Sequence, residues 1–145
     1  MSENSCQVRP FQLSDYISVT ELLNEVLSEV CYEETMAAFA RQLSWDSELI
    51  MVAEEEGGIV GVIVGTIDNQ NGYYYRIAVQ SQHQRRGIGQ KLIESLKQKF
   101  LQRKVRRILV TVDAYNEVVI PVYEKAGYQA SDFSRTTHRL QIVNG

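Results

Sequence analysis

The chain has 145 residues, 44% of them hydrophobic, and a formal net charge of −3. That is the length of one domain, enough to bury roughly 70% of its unfolded surface without staples, and the negative balance argues against general nucleic-acid binding. Its two cysteines, Cys6 and Cys31, offer neither a disulfide framework nor metal-ligand spacing, which suits a reducing cytosol.

The start, Met1-Ser2-Glu3-Asn4-Ser5, has no basic region followed by an apolar run, so no secretory leader is expected. No later apolar stretch reaches bilayer-spanning length, and a soluble cytoplasmic protein is the expectation. A short strand is predicted near Cys6 to Arg9. Ser14 reads as the N-cap of a helix whose apolar face runs through Val19, Leu22, Leu23, Val26, Leu27 and Val30. A second, shorter helix from Glu34 to Leu43 turns Met36, Phe39, Ala40 and Leu43 inward, and Trp45 is expected in the core.

Leu49 to Ala53 is a continuous apolar run, read as a buried strand. Glu55-Glu56-Gly57-Gly58 makes a hairpin turn, Ile59 to Ile67 the next strand, and Asp68-Asn69-Gln70-Asn71-Gly72 the next turn. The aromatic and β-branched Tyr73 to Val79 follows as a strand in which the three tyrosines alternate faces. After Gly87, Ile88, Leu92, Ile93, Leu96 and Phe100 recur at helical spacing, and the helix ends near Arg103-Lys104, where cations suit its negative end. Arg107 to Val112 returns as a strand parallel to the one before the helix, because a strand–helix–strand unit makes a right-handed crossover. A short helix lies between Asn116 and Ala126, with irregular backbone up to Ile120, a regular turn from Pro121, and Gly127 past its end. Ser134 to Ile142 alternates enough for a final antiparallel strand. These elements add up to an α+β fold, a mixed and mostly antiparallel sheet with helices on both faces, formed by residues 1–145 as one domain.

The richest stretch is Gln84-Arg85-Arg86-Gly87-Ile88-Gly89, a glycine-containing loop between a strand and a helix. The first turn of a helix has amides without intrahelical partners, and its dipole adds positive potential. Glycines let a ligand approach that backbone, so the loop suits a phosphate-bearing ligand. A P-loop would need Gly-Lys-Ser/Thr, yet Gly89 precedes Gln90-Lys91-Leu92; a dinucleotide fingerprint would need a small residue where Leu92 stands. Charge agrees with an anionic ligand here: residues 85 to 107 hold nine of the 15 Lys and Arg side chains, whereas residues 21 to 56 hold ten of the 18 carboxylates.

The Gln/Arg-x-x-Gly-x-Gly spacing of this loop resembles the acyl-CoA loop of the GNAT superfamily of N-acetyltransferases. Asn116 to Tyr128, with Asn followed seven residues later by Tyr and then by Glu-Lys-x-Gly-aromatic, is similar to the family's second signature. The resemblance covers nearly the whole chain and implies an acetyl-CoA-dependent transfer to an amine, without a metal. It implies that the backbone amides of Arg86, Gly87, Ile88, Gly89 and Gln90 grip the pyrophosphate, with Gln84 and Arg85 in the same loop. It implies that Ile77, Ala78 and Val79 meet the pantetheine arm as an added strand would and polarise the thioester oxygen with a main-chain amide, by oxyanion-hole logic. Asn116 is placed against the pantetheine arm or the local backbone, and is equally an N-cap by position.

Tyr123 is the candidate general acid, since a phenol stays protonated at neutral pH and can donate to a departing thiolate. The base is open. Thr111 stands where the ribosomal-N-terminus branch has a glutamate; Glu33, Glu34, Asp113 and a chain of waters are the alternatives. His83 and His138 lack sequence partners for a dyad, and Cys31 reads as buried filler. The acidic first third points to a cationic acceptor such as a polyamine, an amino sugar, or a protein lysine or N-terminus. A homodimer and a non-catalytic acyl-CoA sensor are compatible with the same residues.

Overall fold

Two tight turns organise the first half of the sheet in this computed structural model, which describes residues 6–84 and 86–135. Strand β1 (Gln7–Pro10) lies at one edge and pairs antiparallel with β2 (Ile50–Glu55). Between β2 and β3 (Gly58–Asp68) the chain reverses at Glu56 and Gly57, with φ of 52° and 83°. Between β3 and β4 (Asn71–Val79) it reverses at Asn69 and Gln70, with φ of 52° and 70°. Two consecutive positive-φ residues match the twist of the flanking strands. Asn71 and Gly72 therefore belong to β4 and not to the turn expected from composition. Beyond β4 the pairing turns parallel, through β5 (Arg107–Val112) to β6 (Phe133–Arg135), completing the order β1 to β6 in sequence.

Helices α1 (Tyr16–Val26) and α2 (Glu29–Asp46) share one face of this mixed sheet. Helix α3 (Ile88–Gln102) and the short α4 (Ile120–Lys125) share the other. Each face has its own core: Leu22, Leu23 and Phe39 meet Val52, Val62 and Tyr75 on one side. Leu92, Leu96, Phe100 and Tyr123 meet Ile63, Tyr74 and Val110 on the other. Glycine lets α3 come close. A Cβ on Gly65 would sit 2.8 Å from Leu96 Cδ2, and one on Gly72 would sit 2.9 Å from Phe100.

Six expectations need correction. The first helix stops at Val26, because Leu27 is extended and Ser28 caps α2 by accepting a hydrogen bond from the Cys31 amide. Helix α2 therefore starts five residues before Glu34, leaving Val30 55% exposed. The rotation that follows buries Ala38 in place of Ala40. Ser14 is not the cap; Asp15 holds the position before α1, and its carboxylate reaches back to accept from the Gln12 amide (2.8 Å) and from the Arg9 guanidinium. Trp45 stands 44% exposed at the end of α2. Lastly, β6 runs parallel to β5, pairing Val110 with Phe133 and Val112 with Arg135, where an antiparallel strand was expected. Residues 136 to 142 of that expected strand, with His138, lie outside the described residues.

Candidate functional site

The sheet is split at its centre. Strands β4 and β5 pair from Asn71↔Arg107 to Tyr74↔Val110 and then part, while β4 stays bonded to β3 as far as Val79. From Tyr75 onward the β5-facing edge of β4 is open, and a cleft of about 870 Å³ lies along it. Ile77, Ala78 and Val79 line this cleft, beside Gln84, Gly87, Gly89, Gln90 and Asn116. An open strand edge presents amides and carbonyls to an extended ligand, as in β-augmentation.

The glycine loop stands at one end of the opening. Gly87 adopts φ 84° at the helix boundary, and the first helical bond runs from the Lys91 amide to the Gly87 carbonyl (3.1 Å). The amides of Ile88, Gly89 and Gln90 therefore lie ahead of the helical ladder, and Gly87 has no side chain to cap them. The loop is pinned from both sides: Gln84 Nε2 donates to the Val79 carbonyl and Gln90 Nε2 to the Val122 carbonyl, each at 2.9 Å. The side chain of Ile88 is core, 3% exposed, so only its backbone is available. Arg86 turns away to Glu55, donating twice at 3.2 and 2.9 Å, and His83 Nε2 lies 3.1 Å from the same carboxylate. That His83 pairing, to a residue 28 positions upstream, had no sequence signal. Arg85 lies outside the described residues.

Asn116 is buried and spent on its own loop. Its Oδ1 accepts from the Asp113 amide (2.8 Å) and its Nδ2 donates to the Thr111 carbonyl (2.9 Å). It holds the N-cap position of the turn that follows but makes no side-chain cap to it, its side chain being committed to the local backbone.

Tyr123 is 1% exposed and packs between Tyr74 and Tyr128, with ring centroids 5.3 and 6.5 Å away. It stands behind the cleft wall formed by its neighbour Val122. Burial pushes its phenol above the usual tyrosine range, while the Arg76 guanidinium pulls the other way. A hydroxyl so placed keeps its proton at any physiological pH.

Arg76 is the residue that sequence reasoning missed. A register shift after Val64 leaves Tyr75 as an extra residue, pairing Val64 with Arg76 and Gly65 with Tyr74. Strict alternation would put Arg76 beside Tyr74 under α3; the bulge sends it to the α2 face with Tyr75. There it is 2% exposed, its Cζ 4.7 Å from the Tyr75 ring centroid. Nε donates to Thr35 Oγ1 (3.0 Å), and Nη1 and Nη2 donate to the two oxygens of Asp113 (3.3 and 3.1 Å). The pair spans the open strands two residues past the last backbone pairing on β4 and three past it on the other side. The one signal was a lone charge inside an aromatic and β-branched run.

This pairing also settles what Asp113 is available for. Its carboxylate is engaged by Arg76 and by the Tyr115 amide (2.9 Å). Glu34 accepts from the Tyr115 hydroxyl at 3.4 Å, and Glu33 is exposed on α2. Among the described residues, none of the side chains lining the cleft is a carboxylate. Among the described residues no helix is long and apolar enough to cross a membrane, and no group of three or more His, Cys, Asp or Glu is placed to hold a metal.

Comparison with known proteins bears on this geometry. The acetyltransferase (GNAT) family model matches residues 16–128. An acetyltransferase of Yersinia enterocolitica is 32% identical over 136 residues, spanning 94% of this chain and 96% of its own. The PaiA N-acetyltransferase from Thermoplasma acidophilum, solved in complex with coenzyme A, superposes with a TM-score of 0.70 at 17% identity, over 89% of this chain and 91% of that one. A diaminobutyrate acetyltransferase from Paenibacillus lautus, solved with its substrate and coenzyme A, gives a TM-score of 0.64 at 25% identity, covering 83% and 73%.

Proposed function

Because this chain belongs to the acetyltransferase (GNAT) family, and is therefore an acyltransferase, we propose that it moves an acetyl group from acetyl-CoA to a primary amine by direct attack with both substrates bound. The observation that carries the reading is the parting of β4 and β5 beside the uncapped first turn of α3. The diphosphate meets the amides of Ile88, Gly89 and Gln90, where backbone donors and helix dipole act together. The pantetheine arm lies along the open edge of Ile77 to Val79 and brings the thioester to the bulge. A main-chain amide of that edge polarises the carbonyl oxygen, which favours the charge developing in the transition state.

The acceptor comes from the α1 and α2 face. Its nitrogen lone pair forms the C–N bond, the C–S pair leaves with sulfur, and Tyr123 supplies the proton that makes the thiol. The proton shed by the nitrogen passes to water, since Asp113 and Glu34 are engaged and no carboxylate among the described residues lines the cleft. Arg86 and Asn116 serve the loops that shape the site more than the cosubstrate itself.

Calorimetric titration with CoA, together with thiol release from acetyl-CoA over a panel of amines, tests this. Saturable CoA binding and amine-dependent thiol release are expected. Binding without turnover on any amine would leave an acyl-CoA sensor in place of the transfer reaction. Absence of CoA binding would remove the site assignment altogether.

A further inference from the structure

The cleft also has an apolar wall on α1, α2 and the loop after β5. Val26 and Leu27 close α1, Cys31 stands in the first turn of α2, and Tyr115 and Val118 face them from the loop after β5. Two of these groups are in water: Val118 is 85% exposed and Tyr115 39%. Exposed apolar side chains gathered at the mouth of a cleft mark a contact surface. At the floor is Arg76, a buried guanidinium whose charge is balanced by Asp113. Carboxylates belong to the rim: Glu29 and Glu33 are exposed on the first turns of α2, Glu34 meets the Tyr115 hydroxyl, and Glu25 accepts from Gln80.

We propose that the acceptor is a monoamine with an apolar or aromatic body, seated against Val26, Leu27, Tyr115 and Val118 with its nitrogen toward the β4 bulge. The proposal rests on the transfer reaction argued above. The acidic rim attracts the single cation from solution, and the wall then takes the apolar body. A polyamine or an amino sugar would instead carry further ammonium groups past valines toward the paired Arg76, with no carboxylate among the described residues that line the cleft to receive them. Each such group would lose its hydration without gaining a partner. The same surroundings help the chemistry. An apolar wall favours the neutral form of the bound nitrogen. The reaction then balances as amine plus acetyl thioester giving the N-acetyl amide plus free thiol. The nitrogen's proton goes to water, and the sulfur's comes from Tyr123, which solvent reprotonates.

The test is thiol release by the full chain with 2-phenylethylamine, isoamylamine, spermidine and kanamycin, run alongside calorimetric titration with CoA. The expected kcat/KM for the two monoamines exceeds that for spermidine or kanamycin by at least about tenfold, the scale on which apolar pockets discriminate. Val118→Glu, at a position too exposed to matter for folding, should lower turnover of 2-phenylethylamine several-fold and leave CoA affinity unchanged. Preference for spermidine or kanamycin, or indifference of 2-phenylethylamine turnover to Val118→Glu, overturns the acceptor class while leaving the transfer reaction standing. CoA binding with no turnover on any of the four and on a wider amine panel overturns the transfer reaction itself.

Discussion

Substituting Gly89 separates stability from ligand binding, and should move them in opposite directions. A Cβ built there lies 3.5 Å from Val122 Cγ1 and 3.8 Å from Ile77 Cδ1, which is ordinary contact with room to spare. Its backbone is helical, so alanine adds no strain, and replacing glycine in a helix is worth about 0.5–1 kcal/mol. For a chain of this length that corresponds to a rise in Tm of roughly 1–4 °C. The same methyl group faces the cleft, over the amides proposed to receive the diphosphate. Losing one charge-assisted hydrogen bond there costs about 1.5–3 kcal/mol, or roughly 10- to 150-fold in CoA affinity. Gly89→Val, with its branched side chain, should abolish binding. Differential scanning calorimetry and CoA titration on the same preparations measure both quantities. A more stable Gly89→Ala protein with unaltered CoA affinity would refute the placement of the diphosphate.

Three other perturbations address the remaining parts of the argument. Tyr123→Phe keeps the ring packed on Tyr74 and Tyr128 and removes only the hydroxyl, so kcat should fall by about 10²–10⁴ with little change in the Kd for CoA; equal losses in both would make the phenol structural. Arg76→Met strands the carboxylate of Asp113, 11% exposed, and should cost about 3–5 kcal/mol in urea unfolding, whereas an unchanged midpoint would show that the pair holds nothing together. Arg9, through its hydrogen bonds, holds the Asp15 carboxyl below the usual range, so its folded pKa lies under the unfolded one. Its contribution is whole above about pH 4 and is lost as pH falls through the depressed value. Asp15→Asn should therefore flatten the acid limb of the stability curve, and an unaltered limb would place that limb's origin elsewhere.

Much of the site was legible because its signals are local. Gly87, Gly89 and the apolar repeat of α3 lie within one stretch of chain, and a helix start needs only neighbouring residues to define its free amides. The apolar run of β2, the aromatic and β-branched run of β4, and the proline near the start of α4 are likewise properties of a few adjacent side chains. The break between α1 and α2 escaped because apolar spacing runs through it. Its mark is Ser28, whose capping bond competes with that periodicity.

Chemistry that depends on separated segments was decided by the tertiary structure. Arg76 and Asp113 are 37 residues apart and meet only because a bulge turns one strand while the other leaves the ladder. The parallel run of β6, the depth of Tyr123 and the engagement of Glu55 by both Arg86 and His83 are of the same kind. Periodicity and capping are written in near-neighbour energies, which one chain segment expresses alone. Which strands part, and which buried charge finds its partner across the gap, depends on how the whole sheet is packed.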